Sequence, residues 1–321
     1  MRNVQKPKVI AILGPTATGK SHCGIALAQK LGGEIISGDS MLVFRHMDIA
    51  TAKPTAEELA LVPHHLVDIL EPDQKYSVVD FQQQADAWIR DCNARGKMPL
   101  LVGGTGLYLK ALLEHYDFSS VDESSALREK LNAFADREGN GALHAKLERL
   151  DPVKAGELKI NDRRRIIRAI ETTLGGDRVS AEKAGESPYD AVVFGLQMPR
   201  ASLYDRINRR VDLMVEAGLF EETRKLLDMG VPLTAQSMKS IGYRQVVQYF
   251  RGEWTREESI AKLKQATRNF AKRQITWYKK MPYIQWLSLD DPPDYAACVA
   301  AMLQKLEEMQ FIPTRKERES L

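Results

Sequence analysis

The chain has 321 residues, 44% of them hydrophobic and 28% charged, with a formal net charge of +3. This is the balance of a soluble globular protein with little room for extensive disorder, and the length allows two domains or one large α/β domain. No run of about 18 apolar residues occurs, which excludes a membrane-spanning helix, and Cys23, Cys92 and Cys298 lie far apart with no CxxC or Cys/His spacing, so neither a disulfide framework nor a zinc site is indicated.

The polar stretch 1–8 resembles neither a secretory signal nor a transit peptide, so a cytoplasmic protein is expected. KVIAIL at 8–13 is a continuous apolar run ending at glycine, the pattern of a buried parallel strand. A helical pattern over 24–31 closes at Gly32-Gly33, and a second apolar run, 34–37, ends at Gly38-Asp39-Ser40. This is the opening of a βαβ unit. A helix is predicted over 76–94, a strand over 98–102 that stops at Gly103-Gly104-Thr105-Gly106, and another helix from Leu107. Residues 119–190 change character to helical patterns rich in Ala, Leu, Glu, Arg and Lys, with loops at 139–141 and 175–177. AVVFGLQM at 191–198 reads as a strand returning to the sheet, followed by amphipathic helices over 201–229 and 255–280. The expected fold is α/β: a doubly wound parallel sheet of P-loop NTPase type with a mainly helical insertion. The core is divided into 1–118 and 191–312, with the insertion at 119–190 and a charged, frayed tail at 313–321.

Open α/β sheets bind ligands at the carboxyl ends of their strands, so three strand-end loops define the expected site. The first, GPTATGKS at 14–21, matches the phosphate-binding pattern at every fixed position and lies between a predicted strand and a predicted helix. Gly14, Pro15, Thr16, Ala17, Thr18 and Gly19 form the turn whose N–H groups cradle phosphates, Lys20 supplies a mobile cation, and Ser21 is placed to hold a magnesium ion. Asp39 ends the second strand beside this loop. As a residue it fits a turn, a metal ligand or a general base. The GGTG turn is the third loop.

His64-His65 does not read as a metal pair, because neighbours on an extended strand point to opposite faces. Trp277-Tyr278 reads as core or rim rather than a base-stacking platform. Basic clusters recur at Arg163-Arg164-Arg165 with Arg168, at Arg206, Arg209 and Arg210, and at Arg268, Lys272 and Arg273. Grouped around one phosphate site, they make a surface for a polyanion such as nucleic acid.

Beyond the P-loop, ISGDSMLVFRHMDIATAKPT at 36–55, PHHLVDI at 63–69, LLVGGTGLYLKAL at 100–112, NDRRRIIRAIE at 161–171, LYDRINRRVDLMVEAGL at 203–219, IGYRQ at 241–245 and TRNFAKRQITW at 267–277 resemble the bacterial tRNA dimethylallyltransferase (tRNA isopentenyltransferase) family. The resemblance implies transfer of a dimethylallyl group from dimethylallyl diphosphate to the exocyclic amine of the adenine 3′ of the anticodon, with magnesium present and pyrophosphate released. It implies that Thr16, Gly19, Lys20 and Ser21 bind the diphosphate, that Arg206 assists its departure, and that Asp39 is the general base. Contacts to the tRNA anticodon stem-loop are implied for Asp39, Ser40, Met41, Leu42, Thr105, Arg128, Arg164, Arg165, Ile166, Ile167 and Arg168. A monomer is expected. The chain departs from the common pattern at Leu42, Phe44, His46 and Ala50. Rival readings are a P-loop kinase or an adenylate isopentenyltransferase acting on a small molecule, neither of which needs an arginine-rich insertion, and a noncatalytic RNA-binding protein.

Overall fold

The computed structural model describes residues 6–116, 125–174, 186–314 and 317. The expected loop at 175–177, the polar residues 1–5 and most of the tail beyond 313 lie outside these. The chain divides into two compact units, residues 1–115 with 186–321 and residues 116–185.

In the first unit, β1 (Lys8–Leu13), β2 (Glu34–Ser37), β3 (His64–His65), β4 (Pro99–Gly103), β5 (Asp190–Gln197) and β6 (Ile284–Ser288) form one sheet in the order β3-β2-β4-β1-β5-β6. Every neighbouring pair is parallel. Alternate residues of β1 serve opposite faces: Val9, Ala11 and Leu13 join one apolar layer, Ile10 and Ile12 the other. A strand covered on both faces must be apolar throughout, and each fully buried aliphatic side chain contributes roughly 1.5–3 kcal/mol. The strand order reverses beside β1, so the carboxyl ends of β1, β2 and β4 open onto a common crevice.

The helices of this unit are α1 (Lys20–Leu31), α2 (Ala56–Leu61), α3 (Val78–Ala94) and α4 (Gly106–Leu113) before the second unit. Thr55 with Glu58 and Ser77 with Asp80 form capping boxes that fix where α2 and α3 begin. The second unit is α5 (Ser125–Leu150), α6 (Pro152–Glu157) and α7 (Arg163–Leu174). It closes on its own core of Leu131, Ala135, Leu143, Leu147, Ile166, Ile167 and Ile170. The loop expected at 139–141 is a kink at Gly139, φ 86°, within α5. After β5 follow α8 (Arg200–Glu216), α9 (Leu219–Asp228), α10 (Tyr243–Phe250), α11 (Arg256–Tyr278) and α12 (Tyr295–Glu308). The single helix predicted over 201–229 is thus two, because Gly218 at φ 99° takes a left-handed conformation that ends the first. Strands β3 and β6 add edges that the apolar pattern did not predict. Among the described residues, no helix is long and apolar enough to cross a membrane.

The loops after β2 and β4 touch. Gly38 donates its N–H to the Val102 carbonyl at 2.8 Å, and Thr105 donates back to the Gly38 carbonyl at 3.2 Å. A Cβ on Gly103 would lie 2.3 Å from the carbonyl carbon of Gly38. Since backbone cannot yield there, Gly103→Ala is expected to destabilise the protein by about 3 kcal/mol, read as a lowered midpoint in urea. A midpoint equal to the native one would contradict this close crossing.

Candidate active site

The P-loop is held from both sides. Gly19, at φ 90°, leads into α1, and the Pro15 carbonyl accepts from Thr18 Oγ1 and from Lys20 Nζ, each at 2.8 Å. Thr18 is fully buried, and its hydroxyl braces the loop from within through the bond to Pro15. Thr16 donates its N–H to Gln274 Oε1 at 2.9 Å, which leaves its hydroxyl beside Arg210 Nη1 at 3.5 Å. Gln274 Nε2 donates to the Gly104 carbonyl at 2.8 Å. The buried Tyr278 hydroxyl lies 2.9 Å from that same carbonyl and 3.2 Å from that of Gly14. One helix, α11, therefore joins the P-loop to the GGTG turn. Tyr278 is core, as its place at a helix end implied. Ser21 is exposed in the first turn of α1.

Asp39 turns back on its own loop, its Oδ1 accepting from the Met41 N–H at 2.8 Å. Ser40 donates its N–H to Thr105 Oγ1 at 3.0 Å, which brings two of the three loops together. Burial raises the Asp39 pKa, opposed by the Met41 N–H and by the charges of Lys20 and Arg210. Burial likewise pushes Lys20 down to about 7, with Arg210 adding to the effect and Asp39 opposing it. Arg210 is lowered by burial and supported by Asp39. Arg206 Nε donates to the Ala17 carbonyl at 2.9 Å.

Two cavities meet over these groups. The larger, about 740 Å³, is lined by P-loop residues, Lys53, Arg206, Arg209 and Arg210. The smaller, about 300 Å³, is lined by Ser40, Met41, Thr105, Ile207, Met214 and Phe270. Thr16, Asp39, Thr51, Arg210 and Phe270 belong to both. Leu42 lines the larger cavity. The loop between β2 and α2 is fastened from below by Glu222, whose carboxylate accepts the N–H groups of Asp48 and Ile49 at 2.9 Å and the Tyr243 hydroxyl at 2.6 Å.

Arg210 was expected only as part of a basic cluster, and Gln274 and Tyr278 were not among the residues that the sequence pointed to as the site. Arg210 carried a readable signal, its four-residue spacing from Arg206 on one helix face. Gln274 and Tyr278 carried none, since their partners are distant in sequence.

In the second unit the expected tRNA contacts separate. Arg164 and Arg165 are exposed. Arg128 makes a two-pronged pair with the buried Glu171, at 2.6 and 3.0 Å, and Arg168 lies 3.6 Å from the same carboxylate. Ile166 and Ile167, 0% and 4% exposed, are packed in the core of that unit. Their side chains serve that core rather than its surface, because on α7 the polar and apolar residues fall on opposite faces, so a contact with RNA there would fall to the backbone or to the flanking arginines.

His64 and His65 do diverge. His64 Nδ1 lies 2.8 Å from the Val62 carbonyl, while His65 stacks on Trp88 with its Nε2 2.7 Å from Glu34. Glu34, His65 and Cys92 have ligand atoms within 4.8 Å of one another. Both Glu34 oxygens, however, are taken by the Arg95 guanidinium at 2.6 and 2.9 Å. That fork holds Glu34 down at about 2 against its burial, and the cluster is an ion-paired network.

Because Lys20 titrates near 7 when folded rather than near 10.5, the unfolded chain binds an extra proton between those values. The cost to folding is full below pH 7 and fades as pH rises toward 10.5. Lys20→Met is therefore expected to stabilise the substrate-free protein by roughly 1–3 kcal/mol at pH 6, the gain vanishing by about pH 10. Chemical melts over that range measure it; a pH-independent difference between the two proteins would contradict a buried lysine.

A model of the IPP transferase family matches residues 42–281, and one of isopentenyl transferases matches residues 7–68. The tRNA dimethylallyltransferase of Carboxydothermus hydrogenoformans is 48% identical over 284 residues, which is 87% of this chain and 91% of that protein. That of Bacillus cytotoxicus is 42% identical over 96% of this chain and 98% of its own. Among solved structures, the tRNA isopentenylpyrophosphate transferase of Bacillus halodurans superposes with a TM-score of 0.70 at 44% identity, covering 94% of this chain and 98% of that one. A eukaryotic dimethylallyltransferase captured acting on tRNA superposes with a TM-score of 0.81 at 28% identity, covering 97% and 81%. The chain belongs to the IPP transferase family of tRNA dimethylallyltransferases.

Proposed function

We infer that the protein transfers a dimethylallyl group from dimethylallyl diphosphate to the exocyclic amine of the adenine 3′ of the anticodon in tRNA. The observation that carries this reading is the meeting of a cationic cavity and a less polar one at Thr16, Asp39 and Arg210. A diphosphate fits the first, against the P-loop, Lys20, Arg206, Arg209 and Arg210. An unpaired adenine, swung out of its stack at a cost of a few kcal/mol, fits the second beside Ser40, Met41 and Thr105.

In the reaction the adenine nitrogen forms a bond to C1 of the dimethylallyl group as the bond from C1 to the diphosphate oxygen breaks. The amine proton passes to Asp39, and the electron pair leaves on pyrophosphate. Lys20 and the arginines are fixed where that negative charge grows, so no reorganisation is needed as it appears. Asp39 accepts the proton only when ionised. Burial raises its pKa, so turnover is expected to rise with pH as it ionises. The exposed Ser21 hydroxyl would help to hold a magnesium ion, whose preference for oxygen donors it suits. The ion would supply further neutralisation of the leaving charge. A small-molecule kinase is the weaker reading, because relatives over nine-tenths of the chain are tRNA-modifying enzymes. A tRNA substrate places the reaction in the cytoplasm, and one chain carries every group invoked here, consistent with a monomer.

Radiolabelled dimethylallyl diphosphate is expected to label unmodified tRNA; label on free AMP instead, or phosphate transfer from ATP, would overturn the reading. Asp39→Asn should lower the transfer rate by about 10²–10⁴-fold with tRNA affinity retained, measured by single-turnover labelling and filter binding. Lost affinity with native turnover would remove Asp39 from the role of base. Replacing Arg164 and Arg165 together by alanine should reduce the salt slope of tRNA binding by about two. A native slope would show that α7 does not meet phosphates.

A further inference from the structure

Arg206 reaches the P-loop from α8, yet its guanidinium is not oriented by the P-loop alone. Its Nη2 donates to the hydroxyl of Tyr295 at 2.6 Å, while Nε is held by the Ala17 carbonyl at 2.9 Å. Tyr295 is the first residue of α12, whose start is fixed by Asp294 accepting the Ala297 N–H at 2.9 Å. Its ring lies 4.9 Å from that of His22, and a Cβ on Gly19 would fall 2.2 Å from a ring carbon. The phenol therefore rests directly on the backbone at the start of α1. Tyr295 does not line the cationic cavity, whereas Arg206 does. It also lies beyond the residues 42–281 that the IPP transferase model matches.

We propose that Tyr295 is a positioning residue: its hydroxyl and the Ala17 carbonyl together fix the Arg206 guanidinium so that its remaining N–H groups face the diphosphate. A long arginine side chain would otherwise lose rotamer freedom on meeting each substrate, and two fixed acceptors remove most of that cost before binding. The phenol oxygen is suited to this task because it accepts from the guanidinium without cancelling its charge, as a carboxylate would. The ring, seated on Gly19, ties the height of the guanidinium to the P-loop itself. The role rests on the reading of the cationic cavity as a diphosphate site.

Tyr295→Phe keeps the ring on Gly19 and removes only the hydroxyl. It is expected to weaken binding of inorganic pyrophosphate about three- to tenfold by calorimetry. The single-turnover transfer rate should fall about tenfold, with the apparent KM for tRNA within a factor of about two of the native value. In an Arg206→Lys background, whose ammonium cannot make the same fork, the second substitution should change pyrophosphate affinity by less than a factor of about two, because the two residues act as a unit. Equal losses in both backgrounds would mean that Tyr295 acts through packing, and a native pyrophosphate affinity in the single variant would remove the role; either overturns the proposal. If the unaltered protein transfers no label to tRNA, the proposed function fails, while the pyrophosphate measurements still decide the part played by Tyr295.

Discussion

The site depends on where the backbone groups at the ends of β1 and β4 find their partners. Glycine-rich turns leave N–H and C=O groups pointing inward, and buried ones must be hydrogen-bonded. Here α11 meets that demand: Gln274 bridges the Thr16 N–H and the Gly104 carbonyl, and the Tyr278 hydroxyl sits between the carbonyls of Gly14 and Gly104. Two side chains one helical turn apart thus set the separation of the phosphate loop from the GGTG turn. The Thr16 amide is spent on this architecture, and its hydroxyl is the part that faces the cavity. Asp39 is drawn into the same frame through Ser40 and Thr105.

The charges over this frame constrain one another. Lys20 and Arg210 both lose hydration and repel each other, and the Asp39 carboxylate supports the charge of each. An anion entering the larger cavity relieves the repulsion of the cations but adds to the load on Asp39. In the proposed reaction, a bound diphosphate would therefore raise the Asp39 pKa further and make it a stronger base. Acid, cation and leaving group are best regarded as one electrostatic unit, in which removal of any member shifts the others.

Much of the fold was legible where burial is two-sided. β1, β4 and β5 are largely continuous apolar runs because helices cover both faces, and the capping residues at Ser77 and Thr255 mark helix starts in the plain sequence. The edges of the sheet were harder to read: His64-His65 reads as extended, but two residues are too few to place it in the sheet, and β6, mostly half-buried, carries no burial pattern of its own. The break at Gly218 was hidden because the amphipathic period runs on through it. In the site, the P-loop, Asp39, Thr105 and Arg206 announced themselves by motif or by resemblance. Gln274, Tyr278 and Tyr295 did not, since what they do depends on carbonyls and amides far away in the chain. Ile166 and Ile167 show the opposite case, where adjacency to arginines in sequence hides the quarter-turn that sends their side chains inward.

The Lys20 ammonium donates to the Pro15 carbonyl within its own loop. A lysine with an internal acceptor has somewhere to return when its ligand leaves. The net gain to Lys20 on binding a phosphate would be only the difference between the two bonds. In the proposed reaction, whose product retains the whole anionic part of the donor, such a reserve acceptor would make vacating the loop part of ordinary turnover.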